Sequence, residues 1–152
     1  MTEPKANPPL LVLDTNVALD WLYFADPVCE SLALAIRNRH VRWIATPAMR
    51  NEIEHVLKRG ILARRPVHSA VLEAWDQWAS MTTTADGPLP TVLRCTDPDD
   101  QKFIDLALRA GATALLTRDR AVLKLARRAR THGLRIQTTL AWQMQRPQDR
   151  VA

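Results

Sequence analysis

Short apolar runs, each stopped by a polar residue and followed by a helix signal, constrain the fold of this chain more than any other feature. Leu10 to Leu13 ("LLVL") ends on Asp14, "HVRWIAT" (40–46) runs into Pro47, "ATALLT" (112–117) is followed by Arg118 and Asp119, and "LRIQ" (134–137) stops at Thr138. Strands with one wet face alternate apolar and polar residues, whereas strands covered on both faces read as nearly continuous apolar runs. "TVLRC" (91–95) is a further candidate, third in chain order. Amphipathic helical stretches separate these runs. The pattern therefore predicts an α/β fold, a three-layer α/β/α sandwich around a mostly parallel sheet.

The helix signals are local and chemical. Asn16 is placed to cap a helix carrying Val17, Leu19, Trp21, Leu22 and Phe24. Asp26-Pro27, Thr46-Pro47 and Asp97-Pro98 each combine a capping residue with a proline at the first helical position. The helix after Pro47 is expected to close at Gly60, the one after Pro98 at Gly111, and a basic helix capped by Asp119 at Gly133. A further helix is expected from about Pro66 to Met81, followed by the turn-rich "TTTADGPLP" (82–90), and a last one from Thr139 to Gln145. One domain over residues 10–145 results, with a loose arm at 1–9 and a tail at 146–152.

Composition narrows the partners. A net charge of +5 and a pI near 9.9 favour polyanions such as nucleic acid, or an acidic protein. Cys29 and Cys95 are far apart, and the four histidines have no zinc-type spacing, so free thiols and no structural zinc are expected. No apolar run approaches the roughly 20 residues of a membrane span, and no leader is expected from "MTEPKANPPL". These features predict a cytoplasmic location.

Sorting the carboxylates by helical face separates the ordinary from the unusual. Arg50, Glu54 and Lys58 form a ladder of opposite charges four apart, and Lys102, Asp105 and Arg109 share another exposed face. Glu52, by contrast, neighbours Ala48, Met49, His55 and Val56, and Asp100 shares its face with Phe103, Ile104, Ala107 and Leu108. Asp97 reads as a helix cap, and Asp99 as either a first-turn dipole partner or an outer residue of a metal site. Asp14, Glu52, Asp100 and Asp119 thus lack an obvious surface role, although taken singly Asp119 could cap the next helix, Asp14 could form an Asx turn and Glu52 could pair with Arg or Lys across a helix contact. Two carboxylates about 4 Å apart repel by roughly 4 kcal/mol at an effective dielectric near 20, so a cluster of them demands cations or protons. Oxygen ligands without His or Cys select Mg²⁺ or Mn²⁺.

Taken in order, "VLDTN", the glutamate of "PAMRNEIEHVL", "DPDDQKFIDLAL" and "GATALLTRD" resemble the PIN-domain nucleases, and the last two are similar to the prokaryotic, VapC-like toxin branch of toxin–antitoxin pairs. The resemblance covers nearly the whole chain. It implies metal-dependent endoribonuclease cleavage of single-stranded RNA, with products carrying a 5′-phosphate and a 3′-hydroxyl. By motif it assigns the family's acids to Asp14, Glu52, Asp100 and Asp119, with Asp100 chosen over Asp97 and Asp99 by its step from Gly111 and its inward face. Asp14, Asp100 and Asp119 would be metal ligands, with Asp99 a further candidate, and Glu52 would bind a second ion or orient water. Asn16 matches the family's polar residue two after the first acid, and Thr117 is a candidate to contact phosphate or water. A homodimer and a small antitoxin protein are further implications.

An acidic pocket repels a polyanion, so basic residues must hold the substrate. Arg118, Arg120, Lys124, Arg127, Arg128 and Arg130 follow the fourth strand, and Lys58, Arg59, Arg64 and Arg65 flank Gly60. Among these, Arg59, Arg64, Arg65, Arg118, Arg120 and Lys124 are the candidate RNA-binding set. Most of the tryptophans sit on apolar stripes and are expected in packing rather than base stacking. Two other readings compete: a PIN-like domain that binds RNA or a protein without cutting, and a haloacid-dehalogenase-type phosphatase, which would need an aspartate where this chain has Asn16.

Overall fold

Five strands lie side by side in the order β3-β2-β1-β4-β5, all parallel, in a computed structural model that describes residues 7–59, 65–82 and 93–146. In chain order the elements are β1 (Leu10–Leu13), α1 (Thr15–Leu22), α2 (Glu30–Arg37, entered through a 3₁₀ turn at Pro27–Cys29), β2 (Arg42–Ala45), α3 (Pro47–Leu57), α4 (Arg65–Trp78) and β3 (Ala79–Met81). They continue with a 3₁₀ turn at Pro98–Asp100, α5 (Gln101–Ala110), β4 (Ala114–Leu116), α6 (Arg120–Leu123), α7 (Ala126–Arg130), β5 (Arg135–Gln137) and α8 (Thr139–Gln145). Helices flank this sheet as the three-layer α/β/α reading expects. Because successive strands step one way from β1 to β3 and the other way from β1 to β4 and β5, right-handed connections lie on opposite faces of the sheet.

The central strands are apolar because both their faces are covered. Leu11, Val12, Leu115 and Leu116 have no exposed surface, and they join Leu32, Leu57 and Ile104 in one core. Three of the tryptophans extend it: Trp43 on β2 lies 5.6 Å from Trp21 and 5.5 Å from Trp75, centroid to centroid, with tilted and edge-on rings. Trp142 is also buried, while Trp78 is partly buried and carries the Arg37 guanidinium over its ring. The tryptophans are packing residues. Cys29 and Cys95 are buried free thiols, and burial raises the Cys29 thiol to about 11. Among the described residues no helix is long and apolar enough to cross a membrane.

Several boundaries differ from those the sequence suggests. The cap of α1 is Asp14 rather than Asn16, because the Asp14 carbonyl accepts from the Val17 and Ala18 amides; Phe24 lies beyond the helix and is exposed. The helix predicted to reach Met81 stops at Trp78, and its last three residues instead form β3 at the sheet edge. Tryptophans at helical spacing run up to that break with no glycine or proline to mark it. Conversely, the described part of "TVLRC" is not a strand. Its backbone is satisfied by a side chain, since Gln101 donates to the Leu93 carbonyl at 2.8 Å and accepts from the Cys95 amide at 2.7 Å. The basic helix after Asp119 is two short helices, α6 and α7. α3 ends at Leu57, while Gly60, Arg64 and the 83–92 connector lie outside the described residues.

Candidate metal centre

β1 is the point from which the chain steps in both directions across the sheet, and the carboxyl ends of β1 and β4 meet there. In open parallel sheets such a switch point leaves a crevice in which ligands bind. Asp14 follows β1 directly, and its amide still donates to the Leu116 carbonyl at 2.9 Å, so its position is fixed by the β1–β4 ladder. Since the backbone of Asp14 does the capping of α1, its carboxylate makes no cap hydrogen bond and is left for other partners.

Asp100 and Asp119 arrive from the other side. Asp119 caps α6 with one oxygen, accepting from the Ala121 amide at 2.9 Å, which leaves its second oxygen uncommitted to the helix. Asp100 closes the 3₁₀ turn before α5, where the preceding Asp97 takes the capping role by accepting from the Asp99 amide at 3.0 Å. The result is a cluster in which Asp14, Asp100 and Asp119 each present a carboxylate oxygen, all within 4.8 Å of one another.

Thr117 organises this cluster. It is fully buried; its hydroxyl donates to Asp14 Oδ2 at 2.7 Å and accepts from the Asp119 amide at 3.0 Å. The hydroxyl thus bridges the Asp14 carboxylate and the Asp119 backbone, away from solvent.

The electrostatics show a site short of positive charge. Burial, followed by a hydrogen bond to Asp119 and the charges of Asp14, Asp119 and Asp97, raises Asp100 to about 7. Asp14 is also raised, chiefly by burial, against the opposing hydrogen bond from Thr117. Asp100 therefore holds its proton well above the usual carboxylate range when no cation compensates the cluster. Asp100 Oδ2 and Asn16 Oδ1 are buried oxygen atoms with no hydrogen-bond partner. An unpaired buried oxygen is costly, and a hard divalent cation is a partner that fits an all-oxygen donor set. Asp14, Asp100 and Asp119 thus suit such an ion.

Glu52 stands differently from these three. Its charge is felt by Asp14, which places it near the site, but both of its oxygens are engaged. Thr15 donates to Oε2 at 2.6 Å and the Lys102 ammonium pairs with Oε1. Pairing across a helix contact, the alternative reading of Glu52, is what the structure contains. Lys102 itself was expected to face solvent with Asp105 and Arg109. Asp105 instead accepts from Gln101 at 3.0 Å, and Lys102 reaches over to α3. The only hint in the sequence is that a long side chain two residues after the inward Asp100 begins at the pocket's rim.

Asp99 is exposed and lies outside the three-acid cluster. Arg50, Glu54 and Lys58 form the expected ladder, at 3.2 and 3.3 Å, and Arg50 also grips Asp76 of α4. Of the basic candidates, Arg118 makes a two-pronged pair with Asp20 at 2.8 and 2.9 Å, whereas Arg59, Arg120 and Lys124 are exposed. Arg64 and the side chain of Arg65 lie outside the described residues.

Comparison with known proteins agrees with this architecture. No curated protein matches the chain. A solved structure, that of VapBC2 from Rickettsia felis bound to a DNA fragment from their promoter, superimposes with a TM-score of 0.63 at 14% identity, covering 85% of this chain and 98% of that one. At that identity the likeness is one of fold. The family model described as the PIN domain matches residues 10–121, a span that holds β1, α3, α5, β4 and all of Asp14, Glu52, Asp100 and Asp119. The chain belongs to the PIN-domain family of nucleases.

Proposed function

We propose that this protein is a metal-dependent endoribonuclease that hydrolyses phosphodiester bonds of single-stranded RNA, and that it is the toxin of a toxin–antitoxin pair. The observation that carries the enzymatic part is the convergence of Asp14, Asp100 and Asp119, with a buried Asp100 oxygen that lacks a partner. These three residues would hold Mg²⁺ or Mn²⁺. Such an ion supplies neutralisation of the scissile phosphate and a lowered pKa for the attacking water.

The chain's own residues set the geometry. Thr117 locks the Asp14 carboxylate against β4, and the Asp119 cap fixes that side chain against α6. Asn16, two residues after Asp14, has a buried carbonyl-type oxygen without a hydrogen-bond partner and would support the site. Arg59, Arg120 and Lys124 are exposed and supply positive charge for the polyanion that the acidic pocket would otherwise repel. The toxin reading rests on the resemblance of "DPDD" and "GATALLTRD" to the VapC-like branch and is supported by the fold shared with VapBC2. A small antitoxin and a second copy of the chain are the partners it implies.

Incubation of the purified protein with labelled single-stranded RNA and Mn²⁺, beside a chelator control, tests the reading. Cleavage that needs the metal and disappears in Asp14→Asn supports it. RNA binding without cleavage would instead favour a non-catalytic PIN-like binder, and activity retained in Asp14→Asn would remove these acids from the chemistry.

A further inference from the structure

The carboxylates at this pocket fall into two kinds. Asp100 has a buried oxygen with no partner, and it shares its cluster with Asp14 and Asp119. Glu52 has both oxygens engaged, one of them by a cation: Thr15 donates to Oε2 at 2.6 Å and the Lys102 ammonium pairs with Oε1. A divalent ion that recruited Glu52 would have to compete with, and sit against, an ammonium already neutralising it.

Lys102 is also held from a second side. Its Nζ donates to the Asp99 carbonyl at 2.5 Å and lies 4.9 Å from the Phe103 ring centroid, and both Lys102 and Glu52 side chains are less than a third exposed, at 28% and 29%. Four contacts thus tie the ammonium and carboxylate to α1, α3 and the start of α5. An ammonium has three donors. Two are spent on Glu52 and Asp99, which leaves one with no hydrogen-bond acceptor among the described residues.

We propose that Lys102 is a built-in cation that takes the place of a second metal: the site holds one divalent ion on Asp14, Asp100 and Asp119, and Lys102, fixed by Glu52, presents its remaining donor to the substrate phosphate. Glu52 then acts as a positioning residue for Lys102 rather than as a metal ligand. The inference rests on the nuclease reading for its substrate but not for its ion count.

Counting bound Mn²⁺ by electron paramagnetic resonance on the full chain, at millimolar metal, tests it without an activity assay. The expected count is one ion per chain for the wild type and for Lys102→Arg, and two for Lys102→Met, in which Glu52 is released; adding Glu52→Gln to Lys102→Met should return the count to one. Two ions in the wild type, or one in a folded Lys102→Met, would overturn the proposal. If Lys102→Met does not fold, Lys102→Gln serves in its place, and the wild-type count alone can still overturn it. A wild-type count of zero would overturn both this proposal and the metal-site reading beneath it. A count of one with no RNA cleavage would leave the ion assignment standing while the nuclease reading failed.

Discussion

Thr117 and Asp14 are 103 residues apart in the chain, yet the Thr117 hydroxyl donates to Asp14 Oδ2 at 2.7 Å in the interior. The contact spans the β1–β4 pair, and the same hydroxyl accepts from the Asp119 amide. One buried oxygen thereby aligns two of the three clustered acids.

Replacing Thr117 with Val keeps the shape and removes that oxygen, leaving the Asp119 amide and one Asp14 oxygen unsatisfied. A buried polar group stripped of its partner costs about 1–3 kcal/mol, so urea unfolding of Thr117→Val should show a loss of that size. Thr117→Ser, which keeps the hydroxyl, should lose less. Divalent-ion affinity should fall in the valine variant and recover in the serine variant.

Much of this site can be read in the chain because strand ends and helix caps are local signals. An apolar run ending on Asp14, and the step from Gly111 back to an inward Asp100, place two acids at one edge of a parallel sheet before any contact is known. What could not be read depends on contacts across the fold. Lys102 and Glu52 lie on different helices 50 positions apart, and a helical wheel shows each only its own face. β3 was hidden for a related reason: Ala79–Met81 pairs with Trp43–Ala45, and that pairing overrides a helical pattern that nothing local interrupts. In the reverse case, Gln101 supplies hydrogen bonds that keep Leu93 and Cys95 out of the sheet.

The metal-free protein should become less stable as pH rises through the acid range to neutrality. Asp100 titrates near its ordinary 3.8 when unfolded and at about 7 when folded. Below the first value both states carry the proton; between the two values only the folded state keeps it. Stability from this group is therefore complete below about pH 4 and lost as pH approaches 7. Asp14, raised in the same sense, adds to the trend. Thermal melts in chelator across this range should show the decline, and saturating Mn²⁺ should flatten it at the neutral end.

RNA affinity should depend on salt through the exposed basic residues. Arg118 is already matched by Asp20, whereas Arg120 and Lys124 are exposed and form no ion pair among the described residues. If each of the latter meets one phosphate, the double variant Arg120→Ala, Lys124→Ala should lower the slope of log affinity against log salt by about 1.4 on single strands. Fluorescence titrations at several salt concentrations measure this, with Arg118→Ala expected to change the slope less.

Calorimetric titration of Mn²⁺ into the wild type and Asp100→Asn at pH 8 tests the central claim most directly. Three clustered carboxylates that hold a divalent ion predict saturable binding to the wild type and an affinity at least about tenfold weaker in the variant, whose thermal melt stays unchanged or rises as a repulsive charge is removed. No binding to the wild type, or equal affinity in the two proteins, would contradict it.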